Sequence, residues 1–296
     1  MKSLNGIFAP ITTPFNEDGA INYDHLIHNV KKYAQTGLQG YLILGSNGEN
    51  KSLTTPEKER VIKTILQYKG AEQAAMVGCI FESTYETIEF ALMAEEAGAD
   101  FITLLPPSYF KSAMKDPALV KYFTDVASRV KTPCLLYKAP QFSGGVDLSI
   151  NLIKECAKHP NIAGIKDSSS SGVEKILLGV PKEFAVLSGS ANTFFAAMLG
   201  GAVGGVLSIA DYLPERAVEL YGYITGGNLH KAVDLNQKII RGNIEISGTY
   251  GVGGVKCAMD QTGYYGDVPR LPLSRPPQEG VEAIKASIKT LKLFNN

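Results

Sequence analysis

Asn161-Ile162-Ala163-Gly164-Ile165-Lys166-Asp167-Ser168 is a short, β-branched apolar run that ends in an amine, an acid and a hydroxyl. Bounded by His159-Pro160 on one side and further serines on the other, it reads as a buried strand. Lys166 sits at its end, just where the strand leaves the core. Burial there disfavours an ammonium and favours the neutral amine, the form that attacks carbonyl carbon. Taken alone, a strand-end lysine is more often a solvated residue opening a surface loop, so the rest of the chain has to decide.

Working outward, similar runs occur at 6–11, 40–44, 74–80, 101–105, 134–137, 184–187 and 204–208. Helical patterns lie between them. Thr55-Pro56-Glu57 supplies a cap, a first-turn proline and an early acid. Residues 83–98 carry apolar positions at Ile88, Ala91, Leu92 and Ala97 before a glycine stop, and 148–156 and 191–199 behave similarly. Eight strands, each followed by a helix, in about 220 residues predict a (β/α)₈ barrel. An open doubly wound sheet is disfavoured, because the first strand runs into Thr12-Thr13-Pro14-Phe15 and no glycine fingerprint follows. After Pro214 the pattern is helical (216–223, 229–246, 253–261 and 278–293). The expected division is a catalytic barrel over residues 1–226 and a C-terminal helical extension over 227–296.

Basic and acidic residues balance at 29 each, which argues against a nucleic-acid or membrane-surface partner. Cys79, Cys134, Cys156 and Cys257 are widely spaced and read as buried reduced thiols. There is no apolar signal core and no run of the roughly 20 apolar residues a membrane span needs. These features point to a soluble, cytoplasmic protein.

In a barrel of this kind the site lies at the C-terminal ends of the strands. The residues there are Thr12-Thr13, Gly45-Ser46-Asn47-Gly48-Glu49, Pro107-Ser108-Tyr109, Tyr137-Lys138, Lys166-Asp167-Ser168, Gly189-Ser190-Ala191 and Ile209-Ala210. The set offers one amine nucleophile, two tyrosines and several hydroxyls, but no histidine and no acid cluster suited to a metal. That composition favours covalent carbonyl chemistry over metal-assisted hydrolysis. The turn at 45–49 is either a backbone anion cradle or an ordinary turn before the next helix. Tyr137 is either a packing residue with a solvated hydroxyl or a phenol relaying protons beside Lys166. Gly200–Gly205 lies between a helix and a strand, the wrong order for dinucleotide binding. The run Tyr250-Gly251-Val252-Gly253-Gly254-Val255-Lys256 starts a helix or shapes the barrel mouth. His25, His28, His159 and His230 read as structural or surface residues.

Taken together, Gly6–Phe15, the Gly45–Glu49 turn, Tyr137 with Pro140 and Gly144, and Gly164-Ile165-Lys166-Asp167 resemble the pyruvate-dependent class I aldolases, the family that includes dihydrodipicolinate synthase and N-acetylneuraminate lyase. The resemblance spans essentially the whole chain. It implies Lys166 as the Schiff-base lysine and Tyr137 as the proton relay. Ser46 and Asn47 would hold a 2-oxo-acid carboxylate, and Tyr109 would be lent to a neighbouring subunit's relay. Homodimers paired into tetramers are the assembly it implies. Gly48, Ser168, Gly189, Ser190 and Val206 complete the expected substrate lining.

Dihydrodipicolinate synthases carry an arginine in the loop after the relay tyrosine, and here that loop has Phe142. Sialic acid lyases place acids after the seventh strand, where Ser190-Ala191-Asn192 supplies none. Gly45-Ser46-Asn47-Gly48-Glu49, Gly189-Ser190-Ala191 and Gly263-Tyr264-Tyr265-Gly266 are similar to 4-hydroxy-2-oxoglutarate aldolases. Lys138 replaces an asparagine common among relatives and is expected to add a cation near the site. The resemblance thus implies reversible cleavage of a 4-hydroxy-2-oxo acid to pyruvate and an aldehyde, glyoxylate being the first choice. No cofactor is required, because the lysine supplies the electron sink. The alternatives are a dihydrodipicolinate synthase, a 2-keto-3-deoxy sugar acid aldolase or dehydratase, an N-acetylneuraminate lyase, and a non-catalytic 2-oxo-acid sensor.

Overall fold

The computed structural model describes residues 2–169 and 172–292. Parallel strands close into a barrel in sequence order: β1 (Gly6–Ala9), β2 (Gly40–Ile43), β3 (Ala74–Cys79), β4 (Phe101–Leu104), β5 (Cys134–Lys138), β6 (Ile162–Asp167), β7 (Ala185–Ser188) and β8 (Gly204–Val206). Between them run α1 (Tyr23–Tyr33), α2 (Thr55–Tyr68), α3 (Thr84–Ala97), α4 (Asp116–Ala127), α5 (Ile150–Cys156), α6 (Val173–Gly179) and α7 (Ala191–Leu199). The short α8 (Ile209–Tyr212) and then α9 (Pro214–Thr225) follow β8, and α10 (Leu229–Asn243), α11 (Thr249–Asp260) and α12 (Gln278–Lys292) come last. The fold is therefore a (β/α)₈ barrel with C-terminal helices. The last residue of the expected final helix, Leu293, lies outside the described residues.

Strands buried on both faces need apolar side chains on both. Phe8, Leu42, Met76, Phe101, Leu135 and Leu187 fill the barrel interior, while Ile7, Ile43, Val77, Ile102 and Leu136 face the surrounding helices. The glycines of β8 serve the closing seam. A Cβ at Gly204 would stand 2.1 Å from the Gly6 carbonyl oxygen of β1, so only glycine permits that pairing.

Several boundaries differ from the sequence reading, and those nearest the strand ends and the mouth matter most. β5 and β6 run on through Lys138 and Asp167, because Tyr137 pairs with Lys166 and Lys138 with Asp167 across the ladder. Lys166 therefore stands within its strand, not at the last position. The cap of α2 is Thr54 rather than Thr55: the Glu57 carboxylate accepts the Thr54 N–H at 2.8 Å, a reciprocal pairing that fixes the three-residue spacing. The helix expected over 229–246 ends at Asn243 and passes into a π-helical turn, Ile244–Gly248, which leads into α11.

α10 packs against α7 and α9, and α11 against α8. α11 is broken at Gly251, whose φ of 56° and ψ of −143° are not helical. This break turns the chain over the barrel mouth. All four cysteines are buried and unpaired. Among the described residues, no helix is long and apolar enough to cross a membrane.

Candidate active site

The strand ends enclose a cavity of about 530 Å³. Lys166 on β6 and Tyr137 on β5 are register partners on hydrogen-bonded strands, so both point into the barrel. The Lys166 Nζ lies 4.0 Å from the centroid of the Tyr137 ring. Both side chains are buried, at 4% and 1% exposure. The Tyr137 hydroxyl is 3.3 Å from Ser46 Oγ. Burial pushes the Tyr137 phenol up, but the Lys166 charge and hydrogen bonds with Ser46, Lys166 and Ser168 outweigh it, leaving the phenol below its ordinary value.

The turn after β2 is held from several sides. Leu44 and Glu49 adopt the left-handed conformation, with φ of 57° and 53°. Such a backbone costs energy for residues other than glycine and persists only where its surroundings fix it. Thr13 Oγ1 donates to the Gly48 carbonyl at 2.8 Å, and Asn50 Nδ2 donates to the Leu44 carbonyl at 3.0 Å. Behind the turn, Glu49 Oε1 meets Lys256 Nζ at 2.6 Å, and neither side chain is exposed. Lys256 also donates to the carbonyls of Thr13 and Val268 at 2.7 and 2.8 Å. Burial lowers the Lys256 pKa, and Glu49 pulls it partly back. Asn47 turns its amide nitrogen to Ser208 Oγ at 3.1 Å and Asp211 Oδ2 at 2.9 Å.

On the far side, β6 and β7 approach closely. Gly189 N–H donates to the Asp167 carbonyl at 2.6 Å, and a Cβ at Gly189 would fall 1.9 Å from Ser168 Oγ. Ser190 caps α7, its hydroxyl accepting from Asn192 N–H at 3.3 Å.

The sequence pattern of the dihydrodipicolinate synthetase family matches residues 3–291. The chain belongs to that family. It is 30% identical to a 4-hydroxy-tetrahydrodipicolinate synthase of Rhizobium meliloti, over 99% of this chain and all of that one. It is 29% identical to a protein of Emericella nidulans named "Probable 4-hydroxy-2-oxoglutarate aldolase, mitochondrial", over 95% of this chain and 92% of the other. A crystal structure of YagE from E. coli K12, described as a prophage protein of the dihydrodipicolinic acid synthase family in complex with pyruvate, superposes with a TM-score of 0.91. That pair shares 27% identity, covering 98% and 99% of the two chains. Dihydrodipicolinate synthetase family relatives are thus named both as an aldolase and as a synthase.

Of the residues expected from sequence, Lys166, Tyr137, Ser46, Asn47, Ser168, Gly189, Ser190 and Val206 all line the cavity of this family member. Gly48 is buried behind the turn and does not line it. Tyr109 stands outside the cavity of its own barrel, 80% exposed and edge-on to Phe110 at 5.0 Å. Lys138 corrects an expectation. Strand alternation points it away from the barrel interior, where it pairs with Asp147 at 2.7 Å instead of adding a cation to the cavity.

Sequence reasoning missed several residues that line the cavity or, like Asp211, hold a lining residue from behind. Asp211 lies one residue beyond the Ile209-Ala210 pair taken as the eighth strand end. Asn243 and Ser247 reach the cavity from α10 and the π-helical turn, and Gly251 and Val252 join them. The glycine-rich run at 250–256 was the only signal that this segment reaches the mouth. Among the described residues, no group of histidine, cysteine and acidic side chains is arranged to hold a metal.

Proposed function

We propose that the protein is a lysine Schiff-base aldolase that cleaves a 4-hydroxy-2-oxo acid reversibly to pyruvate and an aldehyde, glyoxylate foremost. The observation that carries this reading is the buried pair of Lys166 and Tyr137, with Ser46 on the phenol, in one cavity. The Lys166 amine adds to the C2 ketone, and loss of water leaves an iminium that serves as electron sink. Tyr137 takes the C4 hydroxyl proton, the C3–C4 bond breaks, and an enamine of pyruvate remains. Protonation and hydrolysis release pyruvate.

The Asn47 amide nitrogen is engaged with Ser208 and Asp211. The 2-oxo-acid carboxylate therefore falls to the Ser46 hydroxyl and the backbone N–H groups of the 45–48 turn. Ser168 and Ser190 meet the distal group. Phe142 lines the cavity where a dihydrodipicolinate synthase would place a cation. A 3-deoxy sugar acid is the second reading, favoured by the neutral side chains of Gln141, Asn243 and Ser247 around the same cavity. Comparing glyoxylate with polyhydroxylated aldehydes in the pyruvate condensation separates the two.

Incubation with pyruvate and borohydride is expected to place a reduced adduct on the Lys166 peptide, read by mass spectrometry. An unmodified peptide overturns the Schiff-base reading. Lys166→Ala is expected to abolish turnover. The exposed Tyr109 fits a residue contributed to a neighbouring subunit's relay within a dimer, with dimers paired into tetramers. Tyr109→Ala should then lower kcat about tenfold or more. Sedimentation velocity of the wild type should show a species larger than a monomer, and a purely monomeric active protein rules this role out.

A further inference from the structure

Lys256 on α11 is fully buried, and no step of the proposed cycle uses it. An ammonium has three N–H donors and no acceptor. The Lys256 Nζ meets three oxygens, one for each donor, and each comes from a different segment. They are Glu49 Oε1 after β2 at 2.6 Å, the Thr13 carbonyl after β1 at 2.7 Å and the Val268 carbonyl beyond α11 at 2.8 Å. The Phe15 ring covers a further side, its centroid 4.5 Å from Nζ. Two of these partners grip the turn after β2. Glu49 belongs to it, and its Oε2 accepts the Arg270 backbone N–H at 2.9 Å. Thr13, drawn to Lys256 by its carbonyl, donates its hydroxyl to the Gly48 carbonyl at 2.8 Å.

A buried ion pair says little by itself about stability, because apolar residues of similar volume often serve as well. Three directed hydrogen-bonding contacts do what apolar packing does not: they fix where backbone groups point. The turn needs fixing, since Leu44 and Glu49 stand in the left-handed region at φ of 57° and 53°. We propose that Lys256 is a positioning residue for the oxo-acid carboxylate. From beneath the turn it keeps the N–H groups of residues 45–48 and the Ser46 hydroxyl where a carboxylate meets them, without touching substrate itself. The proposal rests on the reading above that this turn takes the carboxylate. Lys166 stands apart from the network: β6 lies across the barrel from β1 and β2, and none of these ties includes it. Its amine therefore stays able to condense with a ketone that has no carboxylate, and that separates the two roles.

The test compares borohydride trapping of pyruvate and of acetone on Lys166, in the full-length wild type and in Lys256→Met. Methionine is close to lysine in length and has no N–H to give. The rate of pyruvate trapping at subsaturating ketone should fall about tenfold or more, while that of acetone stays within about threefold of wild type. Lys256→Met leaves the Glu49 carboxylate buried without its cation, which endangers folding. The double variant Glu49→Gln/Lys256→Met removes both charges and should show the same selective loss, so it decides if the single variant does not fold. Equal losses for the two ketones make Lys256 a merely structural residue and overturn the proposal. Unchanged pyruvate trapping in a folded variant overturns it too, as does a double variant that fails to fold. A wild type that traps pyruvate no faster than acetone removes the carboxylate reading, and a wild type that traps neither removes the Schiff base. This proposal falls with either.

Discussion

Tyr137 is held between a desolvated wall that disfavours phenolate and a lysine and two serines that favour it. In the proposed cycle it touches the proton of the C4 hydroxyl but not the bond to Lys166. Tyr137→Phe is therefore expected to lower kcat about a hundredfold or more while pyruvate still traps on Lys166. Turnover assays paired with borohydride adduct mass check this, and loss of both activities would mean the phenol is needed for condensation itself. Lys166 and Tyr137 were legible in the sequence as residues near strand ends, and the family resemblance decided between their two readings; period-2 alternation is what aims both side chains into the barrel. The same alternation, not applied to Lys138, turns it out of the barrel toward Asp147. Asp211 was illegible for a different reason. Nothing in its local pattern distinguishes a surface helix start from a buried carboxyl that accepts a hydrogen bond from Asn47.

At the scale of elements, β6 and β7 meet so closely that a side chain at Gly189 has no room. Gly189→Ala should push Ser168 away from the cavity and lower kcat/KM about tenfold or more, measured with the cleavage substrate. Unchanged kinetics would remove Ser168 from the substrate's path. The start of α2 carries a second test. Arg270 holds Glu57 with two nitrogens at 2.7 and 2.9 Å, and its hydrogen bond pulls the Glu57 pKa from 4.5 to about 2. A carboxyl whose folded-state pKa is depressed stabilises the fold above its ordinary value and ceases to as pH falls toward the lowered one. Glu57→Gln should thus cost about 1 to 2 kcal/mol at neutral pH, and the gap in Tm from wild type should close between pH 4.5 and 2. A gap independent of pH would assign the effect to the cap alone. The existence and order of the elements followed from apolar runs and turn residues. The π-helical turn at Ile244–Gly248 did not, because its extra residue per turn answers to packing against α11 and α12 rather than to any local signal.

For the molecule as a whole, the barrel and its late helices are not independent in their effect on the site. The helical pattern after Pro214 predicted the C-terminal helices, but only the fold shows that Lys256 reaches back to Glu49 under the 45–49 turn. Arg270 likewise reaches Glu57, the Ser52 carbonyl and the Gly19 carbonyl, and lies over the Phe15 ring. Such long-range ties leave no trace in spacing, since a lysine more than 200 positions downstream looks like any other helical lysine. The tie has a consequence for biosynthesis. A ribosome delivers the eight strands, Lys166 and Tyr137 well before it delivers Lys256 and Arg270. Until those two have emerged, Glu49 lacks the Lys256 ammonium and the 45–49 turn has no floor. On the proposed reading, catalytic competence is then among the last properties the nascent chain acquires, because the floor of the 45–49 turn arrives after the barrel strands.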